Sequence, residues 1–421
     1  MFATLRKPDF ALLWLAGLIS VAGDYALIAA LPVHAFMLTG SAAAAGGVFA
    51  ATLVPRVLLG SIAGVYVDRW DRKRTMVLAD ILRAACILPL FAVSSADLLW
   101  LLYLVRLVTG IVGLVFDPAE NALLPKLVGE EHLISANALN ALNDNLGRLV
   151  GPAVGGVLYA SGGIGAVVLV DAVSFLGSAA LIAAIRTNAR VELAAADSPH
   201  SPLTRLTQEL RDGLSLVGRN PVISAILVSI GIGMLAEGTF QVGFAPLVLE
   251  VFDGGAQGAG IVLSAQAIGG LIAGALVARA ASKVAPKRLF ASGLLGLGIA
   301  DLGMVNAATI AGAGPSAVAV AAAFMVIAGF PAVALNASAM GIVQMETVDA
   351  FRGRVFGAFT TIQGLSTLAG LAIGTLAIDR FGIVPVLSAG ASMWVVGGLI
   401  ALTRLPGDAG RNAPDNSAVS M

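Results

Sequence analysis

Six ionisable side chains fall where an otherwise apolar chain has little room for charge: Asp24, Arg56, Arg106, Arg148, Glu237 and Asp301. Each sits near the middle of a long apolar run. A charge at the centre of a membrane-spanning helix costs on the order of 2.5–3.5 kcal/mol on insertion scales, so its retention suggests use. The chemistry open to such groups is proton exchange. A carboxylate among apolar groups keeps a proton that it gives up when an arginine lies beside it, so an acid–arginine pair can toggle as its surroundings change. Asp24 is the first choice for the proton carrier, with Arg106 or Arg56 as its modulator. Glu237 is the second, because it could instead meet a cationic ligand. A static ion pair such as Asp24 with Arg56 would give helix register and no turnover. Asp301 and Asp171 are assigned structural pairing, and His34 a packing role with hydrogen bonds.

Other chemistries have no candidates. The sequence holds no G-x-x-x-x-G-K-[ST] loop for ATP, no metal-spaced Cys/His cluster and no nucleophile with a recognisable partner. No enzyme activity, metal or cofactor is expected, which leaves an ion gradient, or the substrate's own, as the energy source. Cys86 is the single cysteine and cannot form an internal disulfide.

The elements that must position these residues follow from hydropathy. The 421 residues are 58% hydrophobic and 12% charged, with a mean hydropathy of +0.92, too apolar for a soluble globule. About 20 apolar residues cross a bilayer core of roughly 30 Å. Twelve runs qualify, at 10–38, 44–67, 75–95, 98–117, 136–160, 164–186, 221–249, 258–281, 287–310, 314–340, 354–378 and 382–403, numbered here as spans 1 to 12. The first continues past Asp24 without a small-residue cleavage site, so no cleavable leader is expected. Of the 25 basic residues, Arg56, Arg83, Arg106 and Arg148 lie within spans, Arg380 alone lies in the loops of one side, and 20 lie on the other. That bias assigns both termini to the cytoplasm. The formal net charge is zero and the charges are sorted by membrane side, which offers no patch for nucleic acid.

Residues 187–220 are the longest polar stretch and divide the chain into a six-span half at 1–186 and another at 221–404, followed by a tail at 405–421. Leu203, Leu206, Leu210, Leu214 and Val217 recur at helical spacing, which predicts an amphipathic linker helix on the inner membrane surface. The halves echo each other weakly: Gly64-x-x-x-Asp68-Arg69 against Gly274-x-x-x-Ala278-Arg279, and Pro32 against Pro246, each trailing an acid, Asp24 or Glu237.

Three motifs carry a resemblance. Gly64-x-x-x-Asp68-Arg69-x-x-Arg72-Lys73-Arg74, between spans 2 and 3, resembles the corresponding loop of the major facilitator superfamily. Asp71 stands where that family usually has glycine. Gly147-x-x-x-Gly151-Pro152-x-x-Gly155-Gly156 in span 5 resembles the antiporter motif of the superfamily's drug:proton exporters. Arg106-x-x-x-Gly110 in span 4 resembles a motif linked there to proton transfer. Gly23-Asp24, Leu123-Leu-Pro125, Ala136-Asn137-Ala138-Leu139, Asp171-Ala-Val-Ser-Phe175 and Arg352-Gly353-Arg354-Val355 look like the branch that holds macrolide-efflux proteins and the enterobactin exporter.

The resemblance implies an all-α membrane protein of two pseudo-symmetric six-helix bundles. It implies a central cavity lined by spans 1, 2, 4, 5, 7, 8, 10 and 11, including Asp24, Arg56, Arg106, Asn145, Arg148 and Glu237. It also implies a gate built from Gly64, Asp68, Arg69 and Arg72, with Asp117 as partner for Arg72. The expected function is proton-coupled export of amphipathic small molecules such as drugs, by a monomer in the inner membrane working through rocker-switch alternating access. Export of a siderophore or lysophospholipid, gradient-driven import, and a non-transporting receptor or scaffold stay open.

Overall fold

A helix satisfies all its backbone hydrogen bonds internally, which lipid requires of any open-ended chain that crosses it. In the computed structural model, which describes residues 2–67, 70–187, 215, 218–280, 284–347 and 351–405, the described chain is helical and holds no strand. The expected linker helix and the tail beyond Leu405 lie outside the described residues.

Ten of the twelve spans appear as separate helical stretches: Pro8–Thr39, Ala42–Val67, Arg72–Ile87, Leu99–Gly113, Pro221–Pro246, Gly255–Ala280, Pro286–Val305, Pro315–Glu346, Arg352–Phe381 and Ile383–Arg404. Spans 5 and 6 run together as Leu133–Ala183. A straight helix of 51 residues would reach roughly 75 Å at 1.5 Å per residue, far more than one bilayer. Gly163 breaks it with φ 63° and ψ −163°, a conformation that glycine adopts without a Cβ penalty. The chain turns there, and the twelve passes are restored.

Span 4 differs from expectation. It was expected to end at 117, but after Leu114 and Val115 a second helical segment follows, Phe116–Val128. Asp117 therefore sits in the first turn of a new segment rather than at the inner end of span 4.

Span ends follow simple chemistry. Pro8, Pro221, Pro286 and Pro315 open their helices, where a missing N–H costs nothing. Asn220 caps span 7, accepting from Val222 N at 2.9 Å and Ile223 N at 3.2 Å. Large apolar side chains such as Leu58, Leu78, Trp100, Val173 and Leu376 are exposed around the bundle, the surface that lipid tails would cover.

The two halves meet in the part of the bundle away from the termini. Ala153 N in span 5 donates to Ser264 Oγ in span 8 at 3.0 Å. A Cβ on Gly156 would come within 2.7 Å of Ala256 O, and one on Gly46 within 2.8 Å of Val242. The innermost of these contacts is Gly364 of span 11 against Val57 of span 2. Asn145 and Arg148, nearer the terminal side, are exposed and line a cavity.

Candidate functional site

Between the halves lies a cavity of about 720 Å³. The first half contributes Tyr25 and Pro32 from span 1, Phe49 from span 2, and Asn145, Arg148 and Pro152 from span 5. The second half contributes Glu237, Phe240 and Gln241 from span 7 and Gln266 from span 8. It also supplies Asp301 from span 9, Asn336 from span 10 and Trp394 from span 12. A mostly apolar, aromatic wall with a few converging polar groups is the ordinary form of a small-molecule site. Gln241 Nε2 donates to Glu237 Oε1 at 3.0 Å. Glu237 and Asp301 are close enough for their charges to interact. Arg148 is the only basic side chain among the described lining residues, and Asp144 one turn earlier shares its field.

The charges of the first half gather elsewhere. Asp24 of span 1 pairs with Arg83 of span 3, Oδ2 to Nη2 at 3.8 Å, and Arg83 Nη1 also reaches Asp80 Oδ1 at 3.8 Å. The guanidinium lies over the rings of Phe116 at 5.6 Å and Phe175 at 5.1 Å, a cation–π arrangement. Gly113 of span 4 leaves it room, since a Cβ there would stand 2.7 Å from Nη2. Asp80 and Asp171 are fully buried. Ser178 Oγ donates to Asp80 Oδ2 at 2.6 Å, and Ser174 Oγ donates to Asp171 O at 2.8 Å and Oδ1 at 3.3 Å. Asp171 Oδ2 has no hydrogen-bond partner among the described residues. A Cβ on Gly23 would lie 2.6 Å from Asp171 Oδ1, so only glycine lets this carboxyl rest on the backbone of span 1. Arg106, 6% exposed, donates from Nε to Thr52 Oγ1 at 3.2 Å and lies in the field of Asp24 and Asp171.

A family model described as Major Facilitator Superfamily matches residues 13–371. The chain belongs to the Major Facilitator Superfamily. It is a multi-pass membrane transporter. Macrolide efflux protein A of Streptococcus pyogenes is 24% identical over 381 residues, covering 90% of this chain and 91% of that one. The enterobactin exporter EntS of Escherichia coli O1:K1 / APEC is 26% identical over 407 residues, covering 94% and 91%. Among solved structures, a bacterial homologue of the iron transporter ferroportin in an inward-facing state superposes with a TM-score of 0.74 at 16% identity, covering 96% of this chain and 99% of that one.

The superfamily pattern and this cavity part company at several residues. Of the six residues expected on the wall, Asn145, Arg148 and Glu237 line it. Asp24, Arg56 and Arg106 do not: Asp24 turns to Arg83, Arg106 is buried against Thr52 of span 2, and Arg56 is exposed off the wall. The ion-pair partner of Asp24 is thus Arg83 of span 3, while Arg106 stays within its field. Asp301, assigned to a peripheral structural pair, lines the cavity instead. Spans 9 and 12 contribute to the wall, while no described residue of spans 4 or 11 does. The cavity reaches into the second bundle, where Gly329 and Ala332 of span 10 and Trp394 of span 12 line it.

The span 5 glycines serve two interfaces. Gly147, Gly151 and Gly155, one turn apart, face span 1, where a Cβ on Gly151 would come within 2.7 Å of Ala22 O. Gly156 faces span 8 across the halves. Such spacing lets helix backbones approach closely. In span 4, Gly110 packs against Thr52 and Pro55 of span 2, which brings Arg106 to Thr52.

In the loop after span 2, Gly64 ends within the helix, while Asp68 and Arg69 lie outside the described residues. Arg72 makes no ion pair with Asp117, and its Nε and Nη1 are buried without hydrogen-bond partners among the described residues. Asp71 caps span 3, accepting from Arg74 N at 2.9 Å, which accounts for an acid where the family usually has glycine. Lys73 Nζ donates to Ile185 O at 2.6 Å, tying the loop to the end of span 6. His34 joins Tyr159 Oη at 2.8 Å and Val93 O at 2.9 Å.

Asp80 and Arg83 were missed as site residues because a hydropathy scan does not ask which way a charge points. One signal was present: Asp80-x-x-Arg83 and Asp171-x-x-Ser174-x-x-x-Ser178 each set polar groups on one helix face within apolar runs.

Proposed function

We propose that this transporter exports amphipathic small molecules in exchange for protons, by rocking of its two halves around the central cavity. The observation that carries the reading is the cavity, aromatic and apolar, walled by both halves and closed on the side away from the termini by Ala153–Ser264 and Gly156–Ala256. With both termini in the cytoplasm of a bacterial inner membrane, this is the form that loads from inside. Likeness to a macrolide efflux protein and an enterobactin exporter supports the outward direction. We read the working unit as a monomer, with substrate, protons and lipid as its partners.

One arginine faces two acids on the described wall, which favours a cationic amphipath over an anionic siderophore. The spare positive charge expected from Arg56 and Arg106 is not available to a ligand there. An organic cation would meet Glu237 and Asp301 while its apolar body stacked on Phe240 or Trp394.

The test uses acid-loaded everted vesicles and a pH-sensitive dye. Ethidium, erythromycin and enterobactin are added in turn to wild-type and Glu237→Gln vesicles. Ethidium or erythromycin should discharge the gradient with the wild type and less so with Glu237→Gln. Discharge by enterobactin alone would replace the substrate class, and discharge by none would remove the exporter reading.

A further inference from the structure

The first bundle carries its own cation and the second does not. Arg83 of span 3 reaches Asp24 and Asp80 at 3.8 Å each and lies over the rings of Phe116 and Phe175. The second half repeats the acids without the base. Asp24 and Glu237 hold matching places, each equally far past the proline that opens its helix, Pro8 or Pro221. Asp301 lies on span 9, the counterpart of span 3. From 221 to 404 the described lysines and arginines all fall in the first or last turn of a helix, and that half has no histidine. Where the first bundle has Arg83, the second has space. Its cavity runs inward to Leu297 and Asp301 of span 9 and Trp394 of span 12. Those two spans pack against spans 7 and 10 and against each other, so this inner part of the cavity belongs to one bundle. Gly233 of span 7 and Gly298 of span 9 both pack against Trp394, which fixes the indole in its wall. Asp301 accepts no hydrogen bond and pairs with no base among the described residues, and Glu237 has Gln241 as its one described donor. Arg148, on the wall from the other half, makes no ion pair with either acid.

We propose that this inner cavity is the head-group subsite and that it takes a guanidinium or amidinium carried on an apolar body. The substrate brings to Glu237, Asp301 and Trp394 the kind of group that Arg83 supplies in the first bundle. Such a cation is planar, offers N–H donors along its edges to carboxylates, stacks on an indole and is more weakly hydrated than an ammonium, so it loses less on leaving water. The apolar body then extends toward Phe240 and Phe49, where the two halves face each other. The proposal rests on reading the cavity as a substrate site and narrows the cation that the site selects.

The experiment is calorimetric titration of the purified full chain in lipid nanodiscs, corrected against empty discs. The ligands share a phenylbutyl body and differ in head group: guanidinium, primary ammonium, trimethylammonium and neutral urea. The guanidinium should bind about tenfold tighter than the urea, which has the same shape, with the two ammonium compounds between them. Asp301→Asn should erase most of that preference and leave urea binding unchanged. Ala332→Leu, which fills the inner cavity, should weaken both. Equal affinity of the wild type for guanidinium and urea would overturn the proposal, as would trimethylammonium binding as tightly as guanidinium, and neither result needs a variant to fold. A preference untouched by Asp301→Asn would place the cation elsewhere and overturn it too. Absence of the preference with discharge by ethidium intact removes the subsite and leaves the exporter standing. The preference in place with no discharge by any compound does the reverse.

Discussion

The two six-helix halves are built alike and filled differently. In the first, spans 1, 3 and 6 close around Asp24, Asp80, Arg83 and Asp171, with Gly23 shaved to a backbone so that the Asp171 carboxyl fits. In the second, the matching spans 7, 9 and 12 leave space lined by Glu237, Asp301 and Trp394, and Gly233 packs against the indole. Both halves carry acids at membrane depth. In one they pair with an arginine or accept from serines within the bundle. In the other they face an opening and await something from outside. A repeated fold can thus be packed around paired charges in one copy and left open around its acids in the other.

The comparison breaks most visibly at Arg83. Arg83→Ala strips the buried Asp80 and the half-buried Asp24 of their partner, and removing one member of a buried pair costs about 3–5 kcal/mol. Thermal unfolding of the purified protein should show it as the most destabilising of the substitutions named here, and a small effect would mean that the network is not held together by charge. Next comes Gly151→Leu, which drives a side chain into span 1 at Ala22 and Tyr25. Overpacking of this kind costs typically 1–3 kcal/mol, and vesicle discharge should fall together with stability.

The second half should answer in the opposite way. Asp301→Asn and Glu237→Gln should each weaken equilibrium binding of ethidium by about tenfold, roughly 1.4 kcal/mol, and leave thermal unfolding nearly unchanged. Unfolding that drops as far as for Arg83→Ala would make these acids structural and erase the contrast. The smallest effect belongs to Asp71→Ala, which removes the cap of span 3 away from both interiors and should cost about 1 kcal/mol of stability, read in the same unfolding scan, with ethidium binding intact.

The twelve spans and the charges set within them were legible because each rests on local chemistry. A helix in lipid must be long and apolar, a loop's basic residues mark its side, and a charge in an apolar run stands out whatever surrounds it. The break at Gly163 falls in the gap between the runs 136–160 and 164–186. Partnership was not legible. Asp24 could be named as an unusual acid, but its pairing with Arg83 rather than Arg56 or Arg106 depends on how spans 1 and 3 rotate about their axes. Asp301 lies on a span that pattern alone assigns to the periphery, yet the packing of the second bundle sets it on the cavity wall. The sequence determined which segments are long and apolar enough to cross a membrane, since that follows from each segment's own transfer energy. Which charges neutralise each other and which are left facing open space was decided only by tertiary packing, since a few tens of degrees of helix rotation exchange one partner for another.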